Sequence, residues 1–223
     1  AFGVCHFTWD WTFDKIFGQK KFVKLLEAAT HEAEAIFFPP FTPDEIIEKY
    51  NGIAVRVPFV VYPFSKIDME LPNDKINVLV LDSGTRILSE IIEKNTENFK
   101  KLNTYNFIRV NDSNKVHNLI PYADLVISRA GFNTISDCIN AKTPMLLIEE
   151  KGNPEIEHNL SRVSELGLCG RMSVNDYAKN FVTAFERFIR DDYQEVLDTT
   201  KNHNFKSNGA EKIVKEIMRR CTQ

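Results

Sequence analysis

The sequence predicts an α/β protein, with a Rossmann-like parallel sheet flanked by helices plus the end of a first lobe. Short apolar runs alternate with segments of helical spacing along most of the chain. Residues 125–127 and 145–148 are two such runs, and continuous apolarity is typical of strands buried on both faces of a parallel sheet. A glycine turn at Gly131 lies between the first run and a helical segment. Strand, turn and helix in this order form the repeating unit of such a sheet.

Composition excludes several classes of protein. Of the 223 residues, 43% are hydrophobic and 26% charged, which is ordinary for a soluble globular protein. The net charge of −3 gives no basic surface for nucleic acid. No apolar run reaches about 18 residues, so we expect no transmembrane span. The four cysteines and the histidines lack metal-ligand spacing, so we expect reduced thiols, no metal and a cytoplasmic location.

Residues 1–69 are interpreted as the C-terminal part of a first lobe and a linker. Ala1 stands inside a strand-like segment, so we expect a further N-terminal portion before it. His6 and Asp10 follow this segment, at the edge where open α/β sheets place ligand sites. Alternatively, the segment is a strand end packed by aromatic side chains. The other predicted elements of this part are a helix over 21–34, a strand over 35–38, a short helix over 41–51 beginning at Thr42 and Pro43, and a last strand within 52–65.

Residues 70–223 are predicted to form the Rossmann-like domain. The boundary is placed near residues 64–74, where the chain becomes polar. An apolar strand over 76–81 precedes a turn that could supply a phosphate contact, although an ordinary βα turn remains an alternative. The residues of this turn are Ser83, Gly84 and Thr85. The later predicted elements are a helix over 86–94, a strand over 107–110, a helix from Glu155, an edge strand over 169–172, and helices over 177–190, 191–200 and 210–220.

The turn at Gly131 carries the strongest functional signal. Backbone N–H groups at a helix N-terminus are unpaired and suit a phosphate group. Arg129 adds a planar cation, and Asn133 and Thr134 add donors in the first helical turn. Asp137 follows one turn later, where a carboxylate can accept from ribose hydroxyls. Alternatively, this is an ordinary βα turn with a polar cap.

The run Gly131-Phe132-Asn133-Thr134-Ile135-Ser136-Asp137 resembles the donor-binding signature of GT-B glycosyltransferases. It is similar to that of the lipid-II-forming N-acetylglucosaminyltransferases and to the nucleotide-sugar box of plant enzymes. There, a Gly-aromatic-Asn-Ser/Thr-x-x-Glu run binds diphosphate and ribose, and a basic residue stands two places before the glycine, as Arg129 does here. The residues before Asp10 also resemble the glycosyltransferase-like domain of L-arabinokinase.

A later run of the same families, Asp/Glu-Gln-x-x-Asn, binds the sugar. Here it is Glu155-Ile156-Glu157-His158-Asn159, with isoleucine where the families have glutamine. The close match extends from Tyr122 to Asn159, and the order of elements extends it over most of the region after residue 70. The resemblance implies that Glu155 accepts hydrogen bonds from sugar hydroxyls and that Asn159 braces the loop or contacts a phosphate.

The resemblance implies transfer of a hexosyl or N-acetylhexosaminyl group from a nucleotide-diphosphate sugar, expected to be a UDP-sugar, to an acceptor hydroxyl. It implies no further cofactor, and it leaves acceptor, oligomeric state and contact with a membrane surface open. A nucleotide-sugar hydrolase or epimerase of related fold, and a non-catalytic binding module, are the alternatives. The predicted acceptor-side residues are His6 and Asp10, and the predicted donor-binding residues are Ser83, Gly84, Thr85, Ser128, Arg129, Gly131, Asn133, Thr134, Asp137, Glu155 and Asn159.

Overall fold

Two parallel sheets form the framework of the computed structural model, which describes residues 1–67, 71–81, 93, 96–110 and 113–222. The α/β fold class is therefore confirmed. The first sheet has the order β1-β2-β3, and its strands are β1 (Phe2–Val4), β2 (Ala35–Phe38) and β3 (Ala54–Arg56). The second sheet has the order β5-β4-β6-β7-β8, and its strands are β4 (Ile76–Leu81), β5 (Tyr105–Val110), β6 (Leu125–Arg129), β7 (Met145–Glu149) and β8 (Cys169–Ser173).

Helices connect these strands in the described part of the chain, as expected for parallel pairing. Their bounds are α1 (Trp9–Phe17), α2 (Lys20–His31), α3 (Asp44–Lys49), α4 (Thr96–Lys101), α5 (Ser113–Leu119), α6 (Phe132–Ala141), α7 (Pro154–Glu165), α8 (Val174–Lys179), α9 (Phe181–Asp191), α10 (Tyr193–Asn202) and α11 (Gly209–Cys221), with a 3₁₀ turn at Ile120–Tyr122. None of the described helices is long and apolar enough to cross a membrane.

The chain divides into two compact units. The first unit consists of Ala1–Val61, Gly152–His158 and Phe205–Gln223, and the second unit of Tyr62–Lys151 and Asn159–Asn204. The sequence places a boundary near residues 64–74, whereas the structural division falls just before Tyr62. The first unit also takes two later segments, because α11 packs on the first sheet: Ile213 lies in one apolar cluster with Ala35 and Phe37.

The second sheet has its topological switch point between β4 and β6. In chain order its five strands run 2-1-3-4-5, the order of one common doubly wound fold. In folds of this order, the connections leave the two switch-point strands in opposite directions, and ligands bind in the crevice beyond the carboxyl ends of those strands. Strand residues from 78 to 81 and from 125 to 129 are all buried, so the sheet is a rigid support for whatever lies beyond that edge.

Two predicted elements of the first unit differ from the structure. The first strand is shorter than predicted, because β1 ends at Val4 and both tryptophans lie on α1. Trp11 packs against Phe7, as the aromatic alternative expects, whereas Trp9 is exposed. The spacing of Trp9, Phe13 and Phe17 is four residues, and their rings contact along one helix face. The short helix α3 begins at Asp44 rather than at Pro43, since the Thr42 hydroxyl donates to the Pro39 carbonyl at 2.9 Å.

The long predicted helix over 177–190 is two helices in the structure, α8 and α9, which are separated at Asn180. Ser173 caps α8, and its hydroxyl accepts a hydrogen bond from the Asp176 N–H at 3.0 Å. The predicted turn of Ser83, Gly84 and Thr85 and nearly all of the helix over 86–94 lie outside the described residues.

Candidate functional site

The glycine turn lies at the switch point of the second sheet, between the end of β6 and the start of α6. The first intrahelical bond of α6 joins the Ile135 N–H to the Gly131 carbonyl at 3.0 Å. The N–H groups of residues 132–134 therefore precede the helical ladder, and the N-cap residue, Gly131, has no side chain that could cap them. Such an end is electropositive and binds anions.

Space beside the turn is open. Gly131 has a φ of −72° and a ψ of 133°, which any residue adopts, so backbone strain does not require glycine here. A Cβ atom placed at Gly131 would meet no other atom within 4 Å among the residues that the structure describes. A bound group can therefore approach the backbone closely. Asn133 is exposed and Thr134 half-buried beside this space, as their predicted role requires.

Asn159 and Ser128 hold the turn from inside the protein. The Asn159 side chain is fully buried, and its Nδ2 donates to the Ala130 carbonyl at 3.0 Å. The Ser128 hydroxyl, also fully buried, donates to the Arg129 carbonyl at 2.8 Å. Both side chains therefore support the backbone of the turn. For Asn159, bracing the loop is one of its two predicted roles.

Arg129 is buried at the end of β6, and its charge is balanced inside the unit. Its Nε–H donates to the Glu150 carboxylate. A second ion pair joins the neighbouring strands β7 and β8. Arg171 Nε on β8 donates to Glu149 Oε1 on β7 at 2.9 Å. Glu149, the last residue of β7, and Glu150, which follows it, therefore each pair with an arginine. A guanidinium has five N–H donors, and the bond to Glu150 uses the Nε–H.

His117 is a site residue that sequence reasoning missed. Its Nδ1 lies 3.0 Å from Oδ2 of Asp137, and both side chains are mostly buried. Burial raises the pKa of Asp137, and the contact with His117 opposes this in part. The only signal in the sequence was the position of His117 on the connection after β5, next to the switch point. Its partner lies 20 residues away, and no local pattern joins them.

Glu155 lies half-buried in the first turn of α7, in the first unit. The Asn153 side chain accepts from the Ile156 N–H at 3.3 Å, and Glu157 accepts from the Gly152 N–H at 2.7 Å. Ile156 is only 5% exposed. The position that holds glutamine in the resembled families is therefore an apolar packing position in this chain.

Asp10 and His6 have different surroundings in the first unit. Asp10 is fully buried and pairs with Lys49 Nζ at 2.8 Å. Burial favours its neutral form, but the bond from Lys49, together with the nearby hydroxyl groups of Thr8 and Tyr50, outweighs it and lowers the pKa. A buried carboxylate with a lowered pKa is a poor general base, so Asp10 has the environment of a structural ion pair.

His6 lies just beyond β1 and is 9% exposed. Its Nδ1 is 3.3 Å from the Thr42 hydroxyl, which follows β2. The imidazole is thus at the carboxyl edge of the first sheet, as predicted. Its role as a base stays a prediction. Among the described residues, no group of three or more histidine, cysteine or acidic side chains could hold a metal ion.

Comparison with known proteins gives a consistent result. Residues 66–217 match the family described as glycosyltransferase family 28 C-terminal domain. The chain is similar to two UDP-N-acetylglucosamine--N-acetylmuramyl-(pentapeptide) pyrophosphoryl-undecaprenol N-acetylglucosamine transferases of Prochlorococcus marinus. For strain MIT 9215 the identity is 32% over 144 residues, covering 60% of this chain and 39% of the relative. For strain MIT 9312 the identity is 33% over 138 residues, covering 55% of this chain and 38% of the relative.

Two solved structures share the fold. The glycotransferase of kitacinnamycin has a TM-score of 0.56 at 14% identity, with 76% of this chain and 49% of that chain covered. The spinosyn forosaminyltransferase SpnP has a TM-score of 0.55 at 14% identity, with 90% and 61% covered. This chain matches less than two fifths of the length of either curated relative.

Proposed function

The chain belongs to the glycosyltransferase family 28 C-terminal domain family, and from this premise we propose that it binds the nucleotide-diphosphate sugar donor of a glycosyl transfer. The observation that carries the proposal is the N-terminus of α6, which begins after Gly131 with open space beside that glycine and lies at the switch point of a parallel sheet. The diphosphate binds the N–H groups of residues 132–134, with Asn133 and Thr134 beside it.

Asp137 accepts from the ribose hydroxyls in this proposal, because it lies on the same helix, just over one turn after the phosphate site. The curated relatives are named for UDP-N-acetylglucosamine, so we propose a UDP-sugar, with a hexosyl or N-acetylhexosaminyl group, as donor. Glu155 is proposed to accept from the sugar hydroxyls on the strength of the sequence run that it opens.

The proposed reaction is a displacement at the anomeric carbon. The oxygen of the acceptor hydroxyl forms the new bond, the bond to the diphosphate oxygen breaks, and the nucleotide diphosphate leaves with the electron pair. Fixed donors at a helix N-terminus offset the charge that develops on the leaving group. His6, whose ring contacts Thr42 and Phe7, is the proposed base for the acceptor proton.

Calorimetry with UDP, GDP and dTDP, each with and without a sugar, tests donor binding. A ligand at about 100 times its dissociation constant adds roughly 2.7 kcal/mol of stability, so a thermal-shift screen can be run first. Gly131→Val should abolish binding, because its side chain fills the open space beside the turn. Lys142→Ala, at the other end of α6, is the matched control and should bind as the wild type does. The proposal fails if no nucleotide binds, or if both variants bind equally.

Donor turnover without acceptor separates transfer from the rival functions. A hydrolase or epimerase would consume the sugar nucleotide alone, and a binding module would leave it intact with every acceptor tested. We expect the sugar nucleotide to remain intact alone and to be consumed with an acceptor alcohol, as followed by phosphorus NMR.

We propose in addition that the first unit meets an anionic membrane surface on the cytoplasmic side. Helices α1 and α2 expose large apolar side chains, including Trp9 at 69% and Leu25 at 65%. Exposed lysines on α2, at 20, 21 and 24, surround the apolar patch. Apolar side chains ringed by lysines suit an interface with anionic lipid. The free thiols of all four cysteines suit a reducing compartment.

Vesicle co-sedimentation tests this contact. We expect binding to vesicles that contain phosphatidylglycerol and much less to pure phosphatidylcholine. Leu25→Glu should weaken it, while Val214→Glu, at a similarly exposed position of α11, should not. Equal binding by both variants contradicts the assignment of the patch.

A further inference from the structure

His117 is held on three sides within the second unit. Its Nδ1 lies 3.0 Å from Asp137 Oδ2. Its Nε2 lies 3.4 Å from the carbonyl oxygen of Pro63. The ring of Phe64 stacks on the imidazole with centroids 4.7 Å apart and planes at 28°. Three independent contacts fix the orientation of a side chain that the proposed reaction has not yet used.

The number of protons on the pair follows from its neighbours. A carbonyl oxygen only accepts, so the contact with Pro63 requires a proton on Nε2. The contact with Asp137 requires one further proton between Nδ1 and Oδ2, because two lone pairs repel each other. The pair is therefore either an imidazolium with a carboxylate or an imidazole with a carboxylic acid. In both forms its net charge is zero.

A neutral pair matters because of where Asp137 lies. It is five residues after Phe132, the first residue of α6, which is about 7.5 Å along a helix axis. That distance is within the screening length of about 8 Å at physiological salt. An unpaired carboxylate at Asp137 would therefore repel a diphosphate bound at the helix N-terminus. The neutral pair removes this repulsion while leaving acceptor positions on the carboxyl group for ribose hydroxyls.

We propose that His117 is a positioning residue of the donor site, which holds Asp137 as a neutral, proton-sharing dyad and so couples ribose recognition to diphosphate binding. This inference rests on the proposed donor site. Loss of the shared proton leaves a net negative charge and a repulsive Nδ1–Oδ2 contact, so donor affinity falls once the pH is high enough to remove that proton. Because the anionic ligand favours the protonated dyad, binding takes up protons near that pH.

A phenol and a thiol also lie beside the dyad. Tyr62, from the same segment as Phe64, meets the imidazole edge-on with centroids 6.4 Å apart. Cys138, next to Asp137, is fully buried, and burial raises the pKa of its thiol.

The test is calorimetry of UDP and of its 2′,3′-dideoxy analogue between about pH 5.5 and 9, the range over which histidines titrate. Repeating each titration in buffers of different ionisation enthalpy gives the number of protons taken up. The wild type should bind UDP less tightly at high pH and take up protons, whereas the dideoxy analogue should bind more weakly throughout. His117→Phe keeps the ring stack and loses the donor, so its affinity for UDP should fall about tenfold at low pH.

His117→Asn separates positioning from packing. Its amide can donate to Asp137 but carries no charge and no proton to share, so the carboxylate keeps its negative charge and affinity should stay near the high-pH wild-type value at every pH, without proton uptake. A wild-type pH profile in this variant, or wild-type affinity in His117→Phe, overturns the inference. Nitrogen NMR of the His117 ring without ligand is independent of donor binding: Asp137→Asn should change the chemical shift of Nδ1, the atom that contacts Asp137. An unchanged Nδ1 shift overturns the dyad itself, whereas failure of the wild type to bind any nucleotide overturns the proposed function.

Discussion

Asp10 is a buried carboxylate whose charge is balanced inside the fold. Lys49 Nζ bonds Asp10 at 2.8 Å and Glu27 at 3.2 Å, so one ammonium joins α1, α2 and α3. An isolated buried charge would cost several kcal/mol, and the lysine offsets this cost. Lys49 therefore ties together three helices of the first unit, which gives Asp10 a structural reason to be charged.

Removing one partner of this pair should be costly. Lys49→Met leaves Asp10 buried and uncompensated, and we expect a loss of about 3 kcal/mol in the free energy of unfolding. Glu27→Gln, which removes the more exposed acid, should cost at most about 1 kcal/mol. Urea unfolding followed by tryptophan fluorescence measures both, since Trp9 and Trp11 lie on α1. Equal losses in the two variants would show that Asp10 needs no counter-charge.

The same pair gives a pH dependence of known sign. The pKa of Asp10 is lower in the folded state than its usual value of 3.8. Its stabilisation is therefore complete above the unfolded-state pKa and is lost as the pH falls through the folded-state value. The free energy of unfolding should decrease in acid for the wild type and decrease less steeply for Asp10→Asn. Parallel curves for the two proteins would contradict this.

Substitutions of Arg129 and of Glu150 should change the affinity for a diphosphate in opposite directions. Arg129→Ala should weaken a nucleoside diphosphate by roughly tenfold to a hundredfold more than the nucleoside, because a charge-assisted contact is lost. Glu150→Gln removes a negative charge beside the same guanidinium and should tighten diphosphate binding. Glu149→Gln, whose partner is Arg171, is the control and should change affinity little. If calorimetry shows that Arg129→Ala lowers the affinities for nucleoside and nucleoside diphosphate equally, the assignment of Arg129 to the diphosphate is wrong.

At the scale of elements, two glycines have contrasting surroundings. A Cβ at Gly170 on β8 would lie 2.1 Å from Cε2 of Phe188, a buried ring of α9. The strand and helix therefore approach too closely for any side chain. At Gly131, before α6, a Cβ would meet open space among the described residues. One glycine is required by packing, and the other leaves room for a ligand.

Alanine at these two positions should separate stability from binding. Gly170→Ala overpacks the core and should cost about 1–3 kcal/mol in thermal or urea unfolding. Gly131→Ala should leave stability within about 0.5 kcal/mol and weaken diphosphate binding, since its methyl group occupies space beside the helix N-terminus. Phe188→Leu should partly rescue Gly170→Ala. If Gly131→Ala lost stability and Gly170→Ala lost diphosphate binding instead, this interpretation of the site would be wrong.

At the scale of the whole molecule, the last helix completes the first unit. Ile213 of α11 packs with Phe37 and Val57, although more than 150 residues separate it from either. The Gly209 N–H donates to the Phe59 carbonyl at 3.0 Å, which anchors the start of the helix. The first unit is therefore assembled from segments near both ends of the sequence, and its folding requires a long loop closure.

Ile213→Ala should destabilise the first unit by about 2–4 kcal/mol through the cavity that it leaves. Val214→Ala, on the exposed face of the same helix, should change stability by no more than about 0.5 kcal/mol. Tryptophan fluorescence reports this unit specifically, because both tryptophans of the sequence belong to it. An equal shift of the unfolding midpoint in the two variants would mean that α11 does not stabilise this unit.

The sequence by itself determined the elements of the second unit that depend on local pattern. The apolar runs at 76–81 and 145–148 are strands because continuous apolarity suits a strand buried on both faces. The turn at Gly131 was predictable for the same reason, since strand, glycine and helical spacing are adjacent in the chain. In the first unit, the pattern of the aromatic segment around Trp9 and Trp11 did not predict the helix that the structure has there. Alternation and helical spacing cannot be told apart over so few residues.

Only the tertiary structure decided which distant groups meet. The pairs His117–Asp137, Arg129–Glu150 and Asp10–Lys49 each join separate elements. Their partners depend on strand order and on how helices return to a sheet, and hydrophobic periodicity carries no information about either. The assignment of α11 to the first unit is decided in the same way. Local propensity is set by neighbouring residues, whereas charge pairing and long-range packing are set by the folded chain as a whole, so they became visible only in the structure.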